Sequence, residues 1–318
     1  MTTFCTPFGT YRWKRVPFGL KISPACFNSM LSDVLRGLED CCGLYIDDIV
    51  IHSSSYRQHI KHVRLVLERL RRAGLTVKLS KCYFACASIE YLGHVVGLGQ
   101  VRPKEQKVKD LLAADHPSGK RQLQSFLGAA GYYRRFIPHF SDMTAPLTSL
   151  LCKGRGFVWT PEAEHSFQCV KQALSTTPVL MIANFNQPFF IFVDASLIAV
   201  GAVLMQRDSD DVYHPVSFFS KKLTAAQRNY CATDREALAL VLAVRAFRIY
   251  ISGKTVVYTD HEALKYIHSN ATKNQRLLRW SLELQQYDLV IEHIKGKDNA
   301  LADFLSRHLC DLYVNHSV

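Results

Sequence analysis

No stretch of this chain is apolar for long enough to cross a bilayer. The longest strongly apolar run, ALALVLAV at residues 237–244, falls far below the roughly 20 residues a spanning helix needs. No apolar segment accompanies Arg12, Lys14 and Arg15, so no secretory signal peptide is expected. Acidic residues are scarce: residues 1–32 contain none, and the 27 Asp and Glu face 39 Lys and Arg, for a net charge of +12. An excess of this size favours polyanionic partners, nucleic acid before an acidic membrane, with solubility alone as the competing reading. Disulfide frameworks and zinc sites also lack support. The ten cysteines are scattered, Cys41 beside Cys42 and Cys82 four residues from Cys86, with no second Cys/His pair at ligand spacing. They read as reduced thiols in an intracellular chain. Tandem repeats and low-complexity tracts are absent. What remains is a globular composition, 48% apolar over 318 residues, ample for about two domains.

Turn residues and periodicity divide the chain into three. Residues 1–30 are loop-rich, with Pro7, Gly9, Pro17, Gly19 and Pro24. GLYIDDIVIHS, residues 43–53, reads as strand, tight turn at Asp47–Asp48, and strand. The spacing of Ile60, Val63, Leu67 and Leu70 predicts a helix that Gly74 ends, and LTVKL at 75–79 predicts a strand. YLGHVVGLGQVR, residues 91–102, reads as a glycine-punctuated hairpin. From Pro103 helices dominate: one over 121–136, another in 161–180 with Thr160 as N-cap and Pro161 at N1. Beyond Asn186 the predicted order is β-β-β-α-β-α-β-α, a mixed sheet flanked by helices. The fold class is therefore α/β (α+β).

Four acidic residues of the last region stand where chemistry would want them. Asp194 and Asp260 each end a predicted strand, and neighbouring strands can project such ends into one crevice. Glu236 lies near the start of a long helix and Asp303 on the last one. Such a cluster suits two Mg²⁺ or Mn²⁺ ions, which prefer hard oxygen ligands and clamp a phosphodiester between them. Each residue has a structural alternative. Asp194 and Asp260 can open turns. TDRE, residues 233–236, matches a capping box with Thr233 as N-cap and Glu236 at N3. Aspartate is a poor helix-interior residue, although Arg307 stands at i+4 from Asp303.

TPFGTYRWKRVPFGLKISPACF, YIDDIVIHS, YLGHVVGLGQVRP, FLGAAGYYRRFIPHFS, VDASLIAVGAVLMQ, TDREALALVLAVRAFRIYISGK, YTDHEAL and ADFLSR follow one another along the chain. On these motifs the chain, from residue 1 to about 309, closely resembles the reverse transcriptase and ribonuclease H segment of gypsy-type LTR retrotransposon polyproteins. The resemblance implies a partial polymerase palm over 1–102, thumb and connection helices over 103–185, a ribonuclease H-like domain over 186–309 and a tail over 310–318. It assigns Asp194, Glu236, Asp260 and Asp303 as metal-holding catalytic residues that cleave the RNA of an RNA–DNA hybrid. One departure is Ala199 where the family has glycine; Gly201 is kept. Apart from His293, no histidine stands close before Asp303, so turnover is expected to differ from that of cellular enzymes with a loop histidine.

The same resemblance makes YIDD a polymerase metal motif, with Asp47 a metal ligand and Asp48 beside it. Phe18, Gly19 and Lys21 would line a nucleotide pocket, or else a Pro/Gly-rich surface loop. Tyr132, Arg134 and Arg135 would hold a nucleic-acid backbone by stacking and charge, or else pack within helices. The family's other essential palm aspartate and its fingers match sequence upstream of Met1, so polymerase activity is expected to be absent from this chain alone. Three readings result: a metal-dependent ribonuclease H, polymerase activity only in a longer product or with a partner subunit, or an inactive nucleic-acid-binding remnant. The expected partners are RNA–DNA hybrid, DNA and RNA, with no membrane, and self-association or pairing with a full-length reverse transcriptase.

Overall fold

The computed structural model describes residues 3–17, 19–152, 154, 156–176, 178–267 and 274–294. Phe18 and Asp303 lie outside them. The chain forms two compact units, Met1–Ala87 and Ser88–Val318, taken here in turn.

In the first unit, β1 (Thr3–Thr6) and β2 (Gly9–Arg12) form a hairpin before α1 (Ser23–Val34). A second hairpin follows, of β3 (Cys42–Tyr45) and β4 (Asp48–Ile51), then α2 (Tyr56–Arg72). Tyr45 pairs with Asp48, so the tight turn is Ile46–Asp47 and not the expected Asp47–Asp48. Ile46 takes a φ of +54°, costly for a β-branched residue, and its N–H donates to Asn28 Oδ1 of α1 at 3.2 Å. Helix α2 ends as its sequence predicts. Gly74 adopts a φ of +69°, and the N–H groups of Gly74 and Leu75 return to the carbonyls of Arg71 and Leu70. Leu75–Lys78 form no strand; the chain passes instead into a 3₁₀ turn at Leu79–Lys81. The unit's core is small, gathered around Leu31, Leu35, Leu38, Val66 and Leu70.

The second unit opens with a meander of β5 (Ser88–Tyr91), β6 (His94–Gly97) and β7 (Gln100–Pro103), three strands where one hairpin was expected. Helices α3 (Glu105–Leu112), α4 (Lys120–Tyr132), α5 (Phe140–Met143), α6 (Ala145–Ser149) and α7 (Pro161–Ser175) follow. Thr160 caps α7 as expected, its Oγ1 accepting from the Ala163 N–H at 3.2 Å. The short β8 (Leu180–Met181) then joins the meander beside β7.

A five-stranded mixed sheet comes last. It comprises β9 (Phe189–Ala195), β10 (Ala199–Arg207), β11 (Tyr213–Lys222), β12 (Thr255–Thr259) and β13 (Leu289–His293). The spatial order is β11-β10-β9-β12-β13, with the β9–β12 and β12–β13 pairs parallel. Between β11 and β12 run α8 (Ala225–Arg228) and α9 (Ala232–Phe247); α10 (Gln275–Leu284) precedes β13.

Strands β9 and β10 are apolar on both faces, as expected of a sheet covered on both sides. Ile191, Val193, Val200, Ala202 and Leu204 pack with Leu240 and Val244 of α9. The alternate residues Phe190, Phe192, Val203, Met205 and Phe218 share a second core with Leu123, Phe126, Phe167 and Val170 of the preceding helices. That second core crosses residue 186. Among the described residues, Cys5, Cys26, Cys41, Cys42, Cys82, Cys86, Cys152 and Cys231 are free thiols. No helix among the described residues is long and apolar enough to cross a membrane.

A fragment beginning at residue 186 is expected to be insoluble, or to bind a hydrophobic dye such as ANS, because excision bares Phe190, Phe192, Val203, Met205 and Phe218. Covering five such side chains is worth on the order of 10 kcal/mol. A fragment beginning at Ser88 should stay folded and dye-free. A monomeric, dye-free 186–318 fragment would show that the helical region is dispensable to the sheet.

Candidate active site

Strand pairing brings two of the predicted carboxylates together. β9 and β12 run parallel with Phe189 opposite Thr255 and Phe192 opposite Tyr258. Continued past the strand ends, that register sets Asp194 level with Asp260. Glu236 arrives from α9, which covers one face of the sheet. One oxygen from each of Asp194, Glu236 and Asp260 lies within 4.8 Å of the others, the only such acidic, His or Cys cluster among the described residues.

The start of α9 is what delivers Glu236. The helix begins two residues earlier than a Thr233 cap requires, with Cys231 at the N-cap position. Thr233 is therefore inside the helix, and its Oγ1 meets His261 Nε2 at 3.0 Å instead of capping. The capping-box reading fails, and the Glu236 carboxylate is left to the cluster. Asp234, next in the chain, is bound by Arg276 at 2.7 Å, and that guanidinium lies 3.8 Å from the centre of the Tyr230 ring. His293 Nε2 hydrogen-bonds the Asp260 carbonyl at 3.1 Å, bracing the end of β12.

Crowding of like charges out of water perturbs the cluster. Burial, then the neighbouring charge of Asp260, raises the pKa of Asp194; His139 and the Ala195 N–H pull the other way. Burial, then the charges of Asp194 and Asp260, lifts Glu236 from 4.5 to about 8. Glu236 Oε2 is buried with no hydrogen-bond partner among the described residues. An unpartnered buried carboxylate oxygen is costly, and three converging hard-oxygen donors fit a divalent cation of the Mg²⁺ or Mn²⁺ kind. The residues present therefore fit a metal.

The other predicted residues fall elsewhere. Asp303 lies outside the described residues. Asp47 and Asp48 are exposed on their hairpin, and no third metal-ligating residue joins them among the described residues. Gly19, with a φ of +84°, and Lys21 are exposed in the loop before α1. Tyr132 is half-exposed, its hydroxyl donating to the Leu92 carbonyl and its ring stacked on His94. Arg134 is exposed, whereas Arg135 turns inward toward the Val216 carbonyl at 3.4 Å. Residues His139 and Asp142, near the carboxylates, carry no signal in the sequence because they come from the helical region.

The sheet and its carboxylates define a ribonuclease H-like domain. Residues 184–287 match the family described as the RNase H-like domain found in reverse transcriptase, and residues 1–96 match the reverse transcriptase (RNA-dependent DNA polymerase) family. The retrovirus-related Pol polyprotein from transposon 297 of Drosophila melanogaster is 37% identical over 310 residues, covering 96% of this chain and 29% of that polyprotein. The transposon Tf2-3 polyprotein of Schizosaccharomyces pombe is 34% identical over 310 residues, covering 96% and 23%. The chain is thus homologous to retrotransposon polyproteins, whose names are consistent with the gypsy type, and spans less than a third of either relative. In fold it is similar to the foamy viral protease-reverse transcriptase, in structures with double-stranded DNA (TM-score 0.80; 93% of this chain, 53% of that one) and with RNA/DNA hybrid (0.79; 93% and 41%), both at 21% identity.

Glu236 gives the site a pH signature. Its folded pKa exceeds its ordinary value, so the folded state keeps a proton that the unfolded chain releases above about pH 4.5. Stability from this group is complete below that point and is lost as pH rises toward about 8. In chelator, the melting temperature should fall over this range, and Glu236→Gln should flatten the fall and melt higher at pH 8. Identical pH profiles for parent and variant would contradict the assignment.

Proposed function

We propose that this chain is a metal-dependent ribonuclease H that cleaves the RNA strand of RNA–DNA hybrids. The observation that carries this reading is the convergence of Asp194, Glu236 and Asp260 within 4.8 Å, on a domain whose relatives belong to reverse transcriptases. Asp303 is proposed as the fourth carboxylate. Bound Mg²⁺ or Mn²⁺, as two ions, supplies activation of the attacking water and stabilisation of the leaving oxygen. The chain's own residues do the rest. Asp194 and Asp260 would hold the cations at the ends of paired strands. Glu236 closes the third side from α9 and would bind a cation in its deprotonated form. The net charge of +12 draws the polyanionic substrate toward the site.

The division into 1–102, 103–185, 186–309 and 310–318 belongs to the same proposal, as does recognition of DNA, RNA and their hybrid. RNA-directed DNA polymerisation is proposed only for a longer product or a partnered form, because Asp47 and Asp48 have no third carboxylate beside them among the described residues. An exposed Lys21 and Arg134 suit phosphate contact in either form.

Incubated with labelled hybrid and Mg²⁺ or Mn²⁺, the purified chain should cut the RNA strand and leave single-stranded RNA and duplex DNA intact. Asp194→Asn, Glu236→Gln and Asp260→Asn should each slow cleavage by at least roughly a hundredfold, since losing even an outer partner of a metal ligand costs 10- to 100-fold. Primer extension should be absent. Cleavage unchanged in Asp194→Asn, or none in the parent, would refute the proposal; the latter together with salt-sensitive hybrid binding would favour the remnant reading.

A further inference from the structure

Gly201 stands directly opposite Asp194 across the antiparallel β9–β10 pair. Residues so placed point to the same face of a sheet, with Cβ atoms about 5 Å apart. Period-2 alternation puts this pair on the face of Phe190, Phe192, Val203 and Met205, toward the helical region. Glycine leaves the space over its own position open, across the pair from Asp194, and the imidazole of His139 packs into that space. A Cβ built on Gly201 would lie 3.3 Å from His139 Cε1 and 3.6 Å from Nδ1.

The ring is held from both sides. His139 takes a φ of +49° at the head of α5, a region that histidine, with Asn and Asp, enters more readily than most residues. Its carbonyl accepts from the N–H groups of Asp142 and Met143, closing that short helix over the ring. Nδ1 lies 3.5 Å from Asp142 Oδ2, with the two side chains only 14% and 11% exposed. The other oxygen of Asp142 meets Ser196 Oγ at 3.1 Å. Ser196 in turn organises the β9–β10 turn, accepting from the N–H groups of Ile198 and Ala199 at 3.1 and 2.9 Å. The Ser141 N–H donates to Ser220 Oγ of β11 at 2.9 Å, anchoring the same segment to the sheet. His139 Nε2 is buried and without a partner among the described residues.

We propose that His139, fixed by Asp142 and Ser196, is a positioning residue that sets the direction of the Asp194 carboxylate for metal binding from outside the domain that carries the carboxylates. The inference rests on the reading of Asp194, Glu236 and Asp260 as a cation site. Asp142 couples the ring and the turn through its two oxygens, so the three side chains act as one clamp. Gly201 is the vacancy that admits it.

Mn²⁺ binding by the full chain, followed by EPR without nucleic acid, tests this independently of cleavage. Asp194→Asn should abolish tight binding. His139→Ala and Asp142→Ala should weaken it roughly tenfold, as partners of metal ligands do, and the half-saturating Mn²⁺ concentration for cleavage should rise in step. Gly201→Ala should weaken it severalfold alone and add nothing to His139→Ala, because the methyl group acts by displacing the ring. His139→Asn, compatible with the same backbone conformation, serves if the alanine variant fails to fold. Binding within twofold of the parent in the His139 variants, a fully additive Gly201→Ala, or tight binding retained in Asp194→Asn overturns the clamp. A lower melting temperature with Mn²⁺ affinity unchanged assigns His139 to folding alone and overturns it too. If Mn²⁺ binding follows the expected pattern but the parent cleaves no hybrid, the clamp stands and the ribonuclease reading fails.

Discussion

Three carboxylates, each preferring water and each repelled by the others, are held together at the ends of two parallel strands and the start of a helix. The arrangement depends on this constraint being met from several directions at once. Parallel pairing of β9 and β12 sets Asp194 and Asp260 level. The buried seam of α9, including Ala237, Leu240, Val241 and Val244, fixes the helix against the sheet so that Glu236 cannot withdraw. The Arg276–Asp234 pair and the Thr233–His261 contact hold the first turn of that helix. Apolar packing opposes the electrostatic repulsion, and a bound cation would offset it.

The sequence reveals the strands of this sheet clearly because β9 is rich in Phe and β12 in Val and Thr, and each is closed by an acidic residue. It reveals Asp194 and Asp260 for the same reason. Glu236 is ambiguous there, since TDRE carries the pattern of a capping box; two residues of helix extension, to Ala232, decide the matter by taking Thr233 out of the cap position. Such end effects follow tertiary contacts, here with His261, that no local pattern encodes. LTVKL fails as a strand for a related reason: its β-branched and aliphatic residues find no partner strand among the described residues. In YIDD, the pairing of Tyr45 with Asp48 moves the turn back by one residue and forces Ile46 into a left-handed conformation.

Least legible is anything that passes between the helical region and the sheet. His139 and Asp142 precede Asp194 by more than fifty residues and belong to a segment that reads simply as the end of a helix bundle. Gly201 is visible only as a glycine within a strand, a position that commonly marks close approach of another group. What approaches is apparent only once α5 lies over β10. The aromatic residues of GYYRRF divide in the same way. Tyr133 is buried with its hydroxyl 3.1 Å from the Gly93 carbonyl, while its neighbour Tyr132 stays half in solvent, a difference set by packing rather than residue type.

The second apolar core, running from Leu123 and Phe126 through Phe167 to Phe190, Phe192 and Met205, has a bearing on how such chains exchange parts. A recombination breakpoint near residue 186 joins a sheet from one parent to helices from another, and side chains shaped for different neighbours must then interlock. Exchange at Ala87–Ser88, where one compact unit gives way to the next, leaves every large core intact. For any such exchange, the sheet and the helices that precede it count as one piece.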